Sequence, residues 1–135
     1  MPGELKLNNL AQVFRRFPEI QAVYLFGSAA EGTMHAGSDM DLAIVPRNAD
    51  LRRRKLDILT ELARAGHCNV DLVFLDVDDI VLRYEAVRPN RVIYAAEDFD
   101  RGEMYSIVVR QYLDFLPYLE VQRRAYKRRL LSGQG

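Results

Sequence analysis

A chain of 135 residues has room for one domain and little more, and an apolar share of 49% is enough to build a core. Its 19 basic and 19 acidic residues cancel, which argues against a bulk electrostatic grip on nucleic acid. The single cysteine, Cys68, excludes an intrachain disulfide and fits a reducing compartment. Met1 to Leu10 lacks the apolar stretch of a secretory signal, and no run approaches the ~20 apolar residues of a membrane helix, so a cytoplasmic protein is expected.

Asn8 or Asn9 is positioned to cap a first helix, with Leu10, Val13, Phe14 and Phe17 at helical spacing and Pro18 ending it. Ile20 to Phe26 reads as a buried strand that stops at Gly27. A loop with Gly27, Gly32 and Gly37 follows, and Asp39 to Val45 is a second strand closed by Pro46. Arg47 to Ala65 is an amphipathic helix with a basic start, and Gly66 suits its C-terminal cap. Val70 to Leu75 is a third strand and Asp76 to Val87 a shorter helix. Arg91 to Ala96 is a short strand or extended segment, and Asp100 caps a long helix over about 101–131. The order predicts an α/β (α+β) fold, a small mixed sheet of three to four strands with helices on one side. Spacing alone leaves the two strands around the glycine loop parallel or antiparallel.

The chemistry concentrates in Val23 to Val45. A buried strand ends in Gly27-Ser28, and ten residues later Asp39-Met40-Asp41 opens the next strand. Side chains alternate along a strand, so Asp39 and Asp41 share a face. Like charges at ~4 Å repel by about 4 kcal/mol at an effective dielectric near 20. A hard divalent cation such as Mg²⁺ removes that repulsion, and oxygen ligands suit it. Gly27 lets backbone approach a phosphate, and Ser28 adds a hydroxyl and an N–H. Each half alone is weak: a D-x-D is often a solvated strand start, and Gly-Ser turns are common. The combination of strand, Gly-Ser, ten residues, Asp-x-Asp and strand is the specific signal.

This G-S-x10-D-x-D pattern resembles the nucleotidyltransferase superfamily that includes DNA polymerase β. The Ser38-Asp39-Met40-Asp41-Leu42-Ala43 run and the small size resemble its minimal branch, the MNT proteins, antitoxin partners of HEPN-domain toxins. Many minimal members carry an arginine just after the Gly-Ser; here Ala29 stands there. The resemblance implies a third carboxylate on a neighbouring strand, and Asp71 fits. It implies two Mg²⁺ ions held by Asp39, Asp41 and Asp71, with Gly27 and Ser28 binding the triphosphate. Asp71 would help to deprotonate an acceptor hydroxyl. The implied function is transfer of AMP from ATP to a hydroxyl, expected on a tyrosine, of a HEPN RNase toxin. The alternatives are a small-molecule nucleotidyltransferase acting on an aminoglycoside-like acceptor, and a non-catalytic antitoxin that only occludes its partner.

Elsewhere the functional signals are weaker. His35 reads as a solvated loop histidine, and His67 and Cys68 as structural, because no second cysteine makes a zinc site. Arg52, Arg53, Arg54 and Lys55 read as a solvated basic helix start. In the last helix Tyr105, Val108, Val109, Tyr112, Phe115, Leu116 and Leu119 form a core-covering stripe, which Tyr126, Leu130 and Leu131 continue. A bend is expected at Pro117. From Leu116 onward the helix is expected to outrun the single 1–135 domain, as a partner-binding arm or a solvated basic end, and its tyrosine and arginine favour the arm.

Overall fold

The structure is a computed structural model that describes residues 2–27 and 40–131, with side chains from residue 8 onward. Its helices are α1 (Pro2–Arg15), α2 (Lys55–Arg64), α3 (Ile80–Val87) and α4 (Arg101–Leu131). Its strands are β1 (Ile20–Phe26), β2 (Met40–Pro46), β3 (Val70–Phe74) and β4 (Arg91–Ala95), in the sheet order β3-β2-β1-β4. The two strands that flank the glycine loop are antiparallel neighbours, Phe26 opposite Asp41 and Leu25 opposite Leu42. β2 and β3 are parallel. Such a pair needs a crossover, and a 3-10 turn (Ala49–Arg54) followed by α2 supplies it. β4 closes the sheet antiparallel to β1.

Helices cover both faces of the sheet, not one as the element order suggested. Leu10, Val13 and Phe14 of α1 and Ile58 and Leu62 of α2 pack with Val23, Leu25, Leu42, Ile44 and Leu72 on the first face. Ala86 and Val87 of α3 and Val108 of α4 pack with Tyr24 and Ala43 on the second. The reason lies in the strands themselves. β1 and β2 are apolar at successive positions, so each face needs a cover.

Caps account for several helix boundaries. Asn48 caps the 3-10 turn through the Asp50 N–H, and the Asp79 carboxylate accepts from the Leu82 N–H at 3.0 Å to start α3. Asp100 caps α4 as expected, accepting from Glu103 N–H at 3.0 Å. Gly66 follows α2 with φ +98°, the left-handed geometry of a glycine C-cap. α1 differs from expectation. It starts at Pro2, a residue suited to a first helical turn, so Asn9 lies inside the helix. The Asn9 side chain instead donates to the Ala65 carbonyl at 3.0 Å, tying α1 to the end of α2. α4 remains helical on both sides of Pro117. No described helix is long and apolar enough to cross a membrane.

Candidate active site

β2 and β3 run in register from their first residues. The Met40 N–H donates to the Asn69 carbonyl at 2.9 Å, and Asp41 then lies opposite Asp71, Leu42 opposite Leu72. Leu42 and Leu72 face the α1/α2 layer. Strand alternation therefore turns Asp41 and Asp71 to the other face, with Phe26 of β1 beside Asp41. Adjacent strands lie about 4.8 Å apart, so the carboxylates repel by up to about 3 kcal/mol at an effective dielectric near 20. Water reduces this, since Asp41 is half-buried and Asp71 exposed. Asp71 makes no ion pair among the described residues.

Gly27 adjoins this pair. Its φ is +69°, and a Cβ built on it would collide with the Asp41 carboxylate. Two separate constraints thus require glycine, the left-handed backbone and the contact with Asp41. The structure brings together Gly27, Asp41 and Asp71 of the five expected site residues. Ser28 and Asp39, with Ala29 and His35, lie outside the described residues.

The donor set fits a hard cation. Asp41 and Asp71 present only oxygens to one face, the chemistry Mg²⁺ takes. No group of three or more His, Cys, Asp or Glu side chains is assembled among the described residues, and the third expected carboxylate, Asp39, is outside them.

Two features near this end of the sheet were not anticipated. Tyr24, two residues before Phe26 on the same face, is wholly buried and meets Phe99 edge-on at 6.2 Å. Its hydroxyl has no hydrogen-bond partner among the described residues. Burial pushes its pKa up to about 12, against the opposing charge of Arg101. A tyrosine within an apolar strand reads as core, and nothing in the sequence distinguishes its hydroxyl. The second feature is Asn90, at φ 55°, just before the β4 residue that pairs with Leu25. The Arg101 guanidinium holds both its side-chain oxygen, at 3.1 Å, and its carbonyl. An asparagine before a strand is a sign of left-handed backbone, so this clamp was partly legible.

The basic run is remote from the carboxylates. Arg52 pairs with Asp76, just past the C-terminal end of β3, and Arg54 pairs with Glu19 at 2.9 Å and lies over the Phe17 ring. These contacts are at the opposite end of the sheet from Asp41, as a structural basic face requires. Cys68 is exposed and His67 half-buried.

The polymerase beta nucleotidyltransferase family matches this chain over residues 8–99. The chain belongs to that family. A protein adenylyltransferase, MntA of Shewanella oneidensis, is 27% identical over 123 residues, covering 90% of this chain and 85% of the relative. A toxin–antitoxin crystal structure with AMP-PNP superposes with a TM-score of 0.69 at 25% identity, covering 93% of this chain and 98% of the other. The structure of a tri-AMPylated S. oneidensis HEPN toxin in complex with its MNT antitoxin superposes at 0.66 with 22% identity, covering 96% and 98%. This last likeness is one of fold.

Proposed function

We propose that this nucleotidyltransferase moves AMP from ATP to a hydroxyl, by preference a tyrosine, on a cognate HEPN toxin and so silences it. The observation that carries the chemistry is the register pair Asp41–Asp71 beside the left-handed Gly27. The adenylyltransferase relative and the AMP-PNP-bound toxin–antitoxin structure support the donor and the acceptor class.

Asp41 and Asp71, with Asp39 as the third carboxylate, would hold two Mg²⁺ ions. Bound there, the metal neutralises the carboxylates and stabilises charge on the attacking and leaving oxygens. The residues of the chain do the rest. The Gly27 turn brings backbone close to the triphosphate, with Ser28 adding its hydroxyl and N–H. Asp71, open to solvent at the edge of the sheet, takes the proton of the acceptor hydroxyl. The hydroxyl oxygen bonds to the α-phosphorus, the bond from that phosphorus to the bridging oxygen breaks, and pyrophosphate departs with the electron pair.

The test is transfer from α-labelled ATP to the purified partner, read by label and by intact mass. The native chain should add whole AMP units to the partner, and Asp41→Asn, nearly isosteric, should abolish the addition while leaving the complex intact. Undiminished transfer by a folded Asp41→Asn chain would overturn the proposal.

A further inference from the structure

The stripe of α4 that packs on the domain does not end where the domain ends. As far as Leu119 the covered stripe runs through Met104, Val108, Tyr112, Phe115 and Leu119, spaced three or four apart, with Val109 and Leu116 beside it. Tyr112 stacks on Tyr84 of α3 with ring centroids 3.7 Å apart, and Gln111 accepts from Arg83 at 2.9 Å. α3 has eight residues, about 12 Å of helix, whereas the 31 residues of α4 span about 46 Å. The support therefore runs out near Leu119, and every described residue after it is exposed.

The sequence nonetheless keeps apolar residues on the same line. Tyr126 and Leu130 continue the stripe at the helical period and are 63% and 55% exposed. At the inner end of the bare segment is a groove of about 460 Å³, its apolar wall formed by Ile80 at the start of α3 and by Phe115 and Tyr118 of α4, its polar wall by Asp78, Arg83 and Asp114, whose two carboxylates suit the N–H groups of a helix's first turn. The ground beside the stripe is basic. Residues 120–131 hold Arg123, Arg124, Lys127, Arg128 and Arg129 against Glu120 alone, in a chain whose net charge is zero.

We infer that the distal half of α4 is the docking surface for the cognate partner, and that it receives a helix with an apolar stripe flanked by carboxylates. Such a helix would continue the line of α3, seating its first turn in the groove and packing along Leu119, Tyr126 and Leu130. Helix-to-helix docking of this kind reads its anchors at intervals of three and four residues, and tyrosine and arginine are favoured anchors. The charge argues for an acidic partner and against pairing with the same arm of a second copy, where five basic residues would face five. The partner's identity rests on the proposed function; the surface rests on α3 and α4.

Two full-length variants test it, Tyr126→Ala/Leu130→Ala and Arg123→Glu/Arg124→Glu/Lys127→Glu. Alanine keeps the helix. Affinity for the partner is measured by calorimetry, and AMP transfer is measured separately over a range of partner concentrations. Each variant should raise the Kd at least tenfold and raise the partner concentration for half-maximal transfer in step. The rate at saturating partner should stay within twofold and the melting temperature should not move. An unchanged Kd in both variants overturns the docking surface, whatever happens to transfer. A lost affinity with no transfer by the native chain leaves the surface standing and removes the adenylylation reading. The inference also falls if the arm proves to hold a second copy, seen as a native dimer that the variants dissociate. It falls equally if nuclease-sensitive RNA occupies the arm in place of the partner.

Discussion

Gly27 and Gly66 form a matched pair that separates backbone strain from damage to the site. Both have positive φ, +69° and +98°. An L-residue in left-handed backbone costs roughly 1–2 kcal/mol, so Gly27→Ala and Gly66→Ala should each destabilise the fold by about that much. At ~2.1 cal/mol/K per residue, a chain of this length unfolds with an entropy near 0.28 kcal/mol/K, so each melting temperature should fall by about 4–7 °C. The surroundings then differ. A Cβ on Gly66 meets nothing within 4 Å, while one on Gly27 collides with the Asp41 carboxylate. Either Asp41 or the turn must yield, and a displacement of about 1 Å near a reacting centre can cost ~100-fold in rate. The assay is AMP transfer to saturating partner at a temperature at least 15 °C below both transitions. Gly66→Ala should transfer at close to the native rate and Gly27→Ala at a hundredth of it or less. Equal transfer by the two variants would refute the view that Gly27 is glycine because Asp41 needs the space.

Asp71→Asn should lower the transfer rate by 100-fold or more, in the range of a lost general base. Its melting temperature should hold or rise, because a repulsion with Asp41 is relieved; a fall in stability without loss of rate would make Asp71 structural. Tyr24 supplies a pH prediction. Its folded pKa, near 12, lies above the ordinary 10.0, so the folded state binds the proton more tightly. The stabilisation is complete below pH 10 and is lost as the pH rises from 10 towards 12. Melting temperatures followed over that window should fall for the native chain and fall less for Tyr24→Phe. At neutral pH the same substitution removes a buried hydroxyl with no partner among the described residues, so stability should be unchanged or higher. A marked loss at neutral pH would mean that the hydroxyl is bonded.

What could be read in the sequence follows the range of the physics involved. Strands β1 and β3 and the caps Asp100 and Gly66 are set by neighbours in the chain and lie within a residue of where the sequence puts them, while β2 runs through Pro46 instead of stopping before it. The start of α1 was misplaced because Asn9 has the chemistry of a cap, but its amide serves the Ala65 carbonyl, a partner 56 residues away. The orientation of β1 against β2 was open because a loop of that length permits either arrangement. The second helical layer was missed although its signal was present, in the apolar residues on both faces of β1.

The candidate site divides in the same way. A D-x-D pattern predicts two carboxylates on one face of one strand from local alternation alone, and of the two only Asp41 is among the described residues. That Asp71 is the cross-strand neighbour of Asp41 depends on the register of a parallel pair formed across a crossover. That register is fixed by apolar matching further along the strands, Leu42 with Leu72 and Ile44 with Phe74, since a slip of one residue would turn Asp71 into the α1/α2 core. The packing that stabilises the sheet therefore also sets the distance between the two carboxylates. A core substitution at Leu72 or Phe74 belongs with the site residues in any account of this protein's activity.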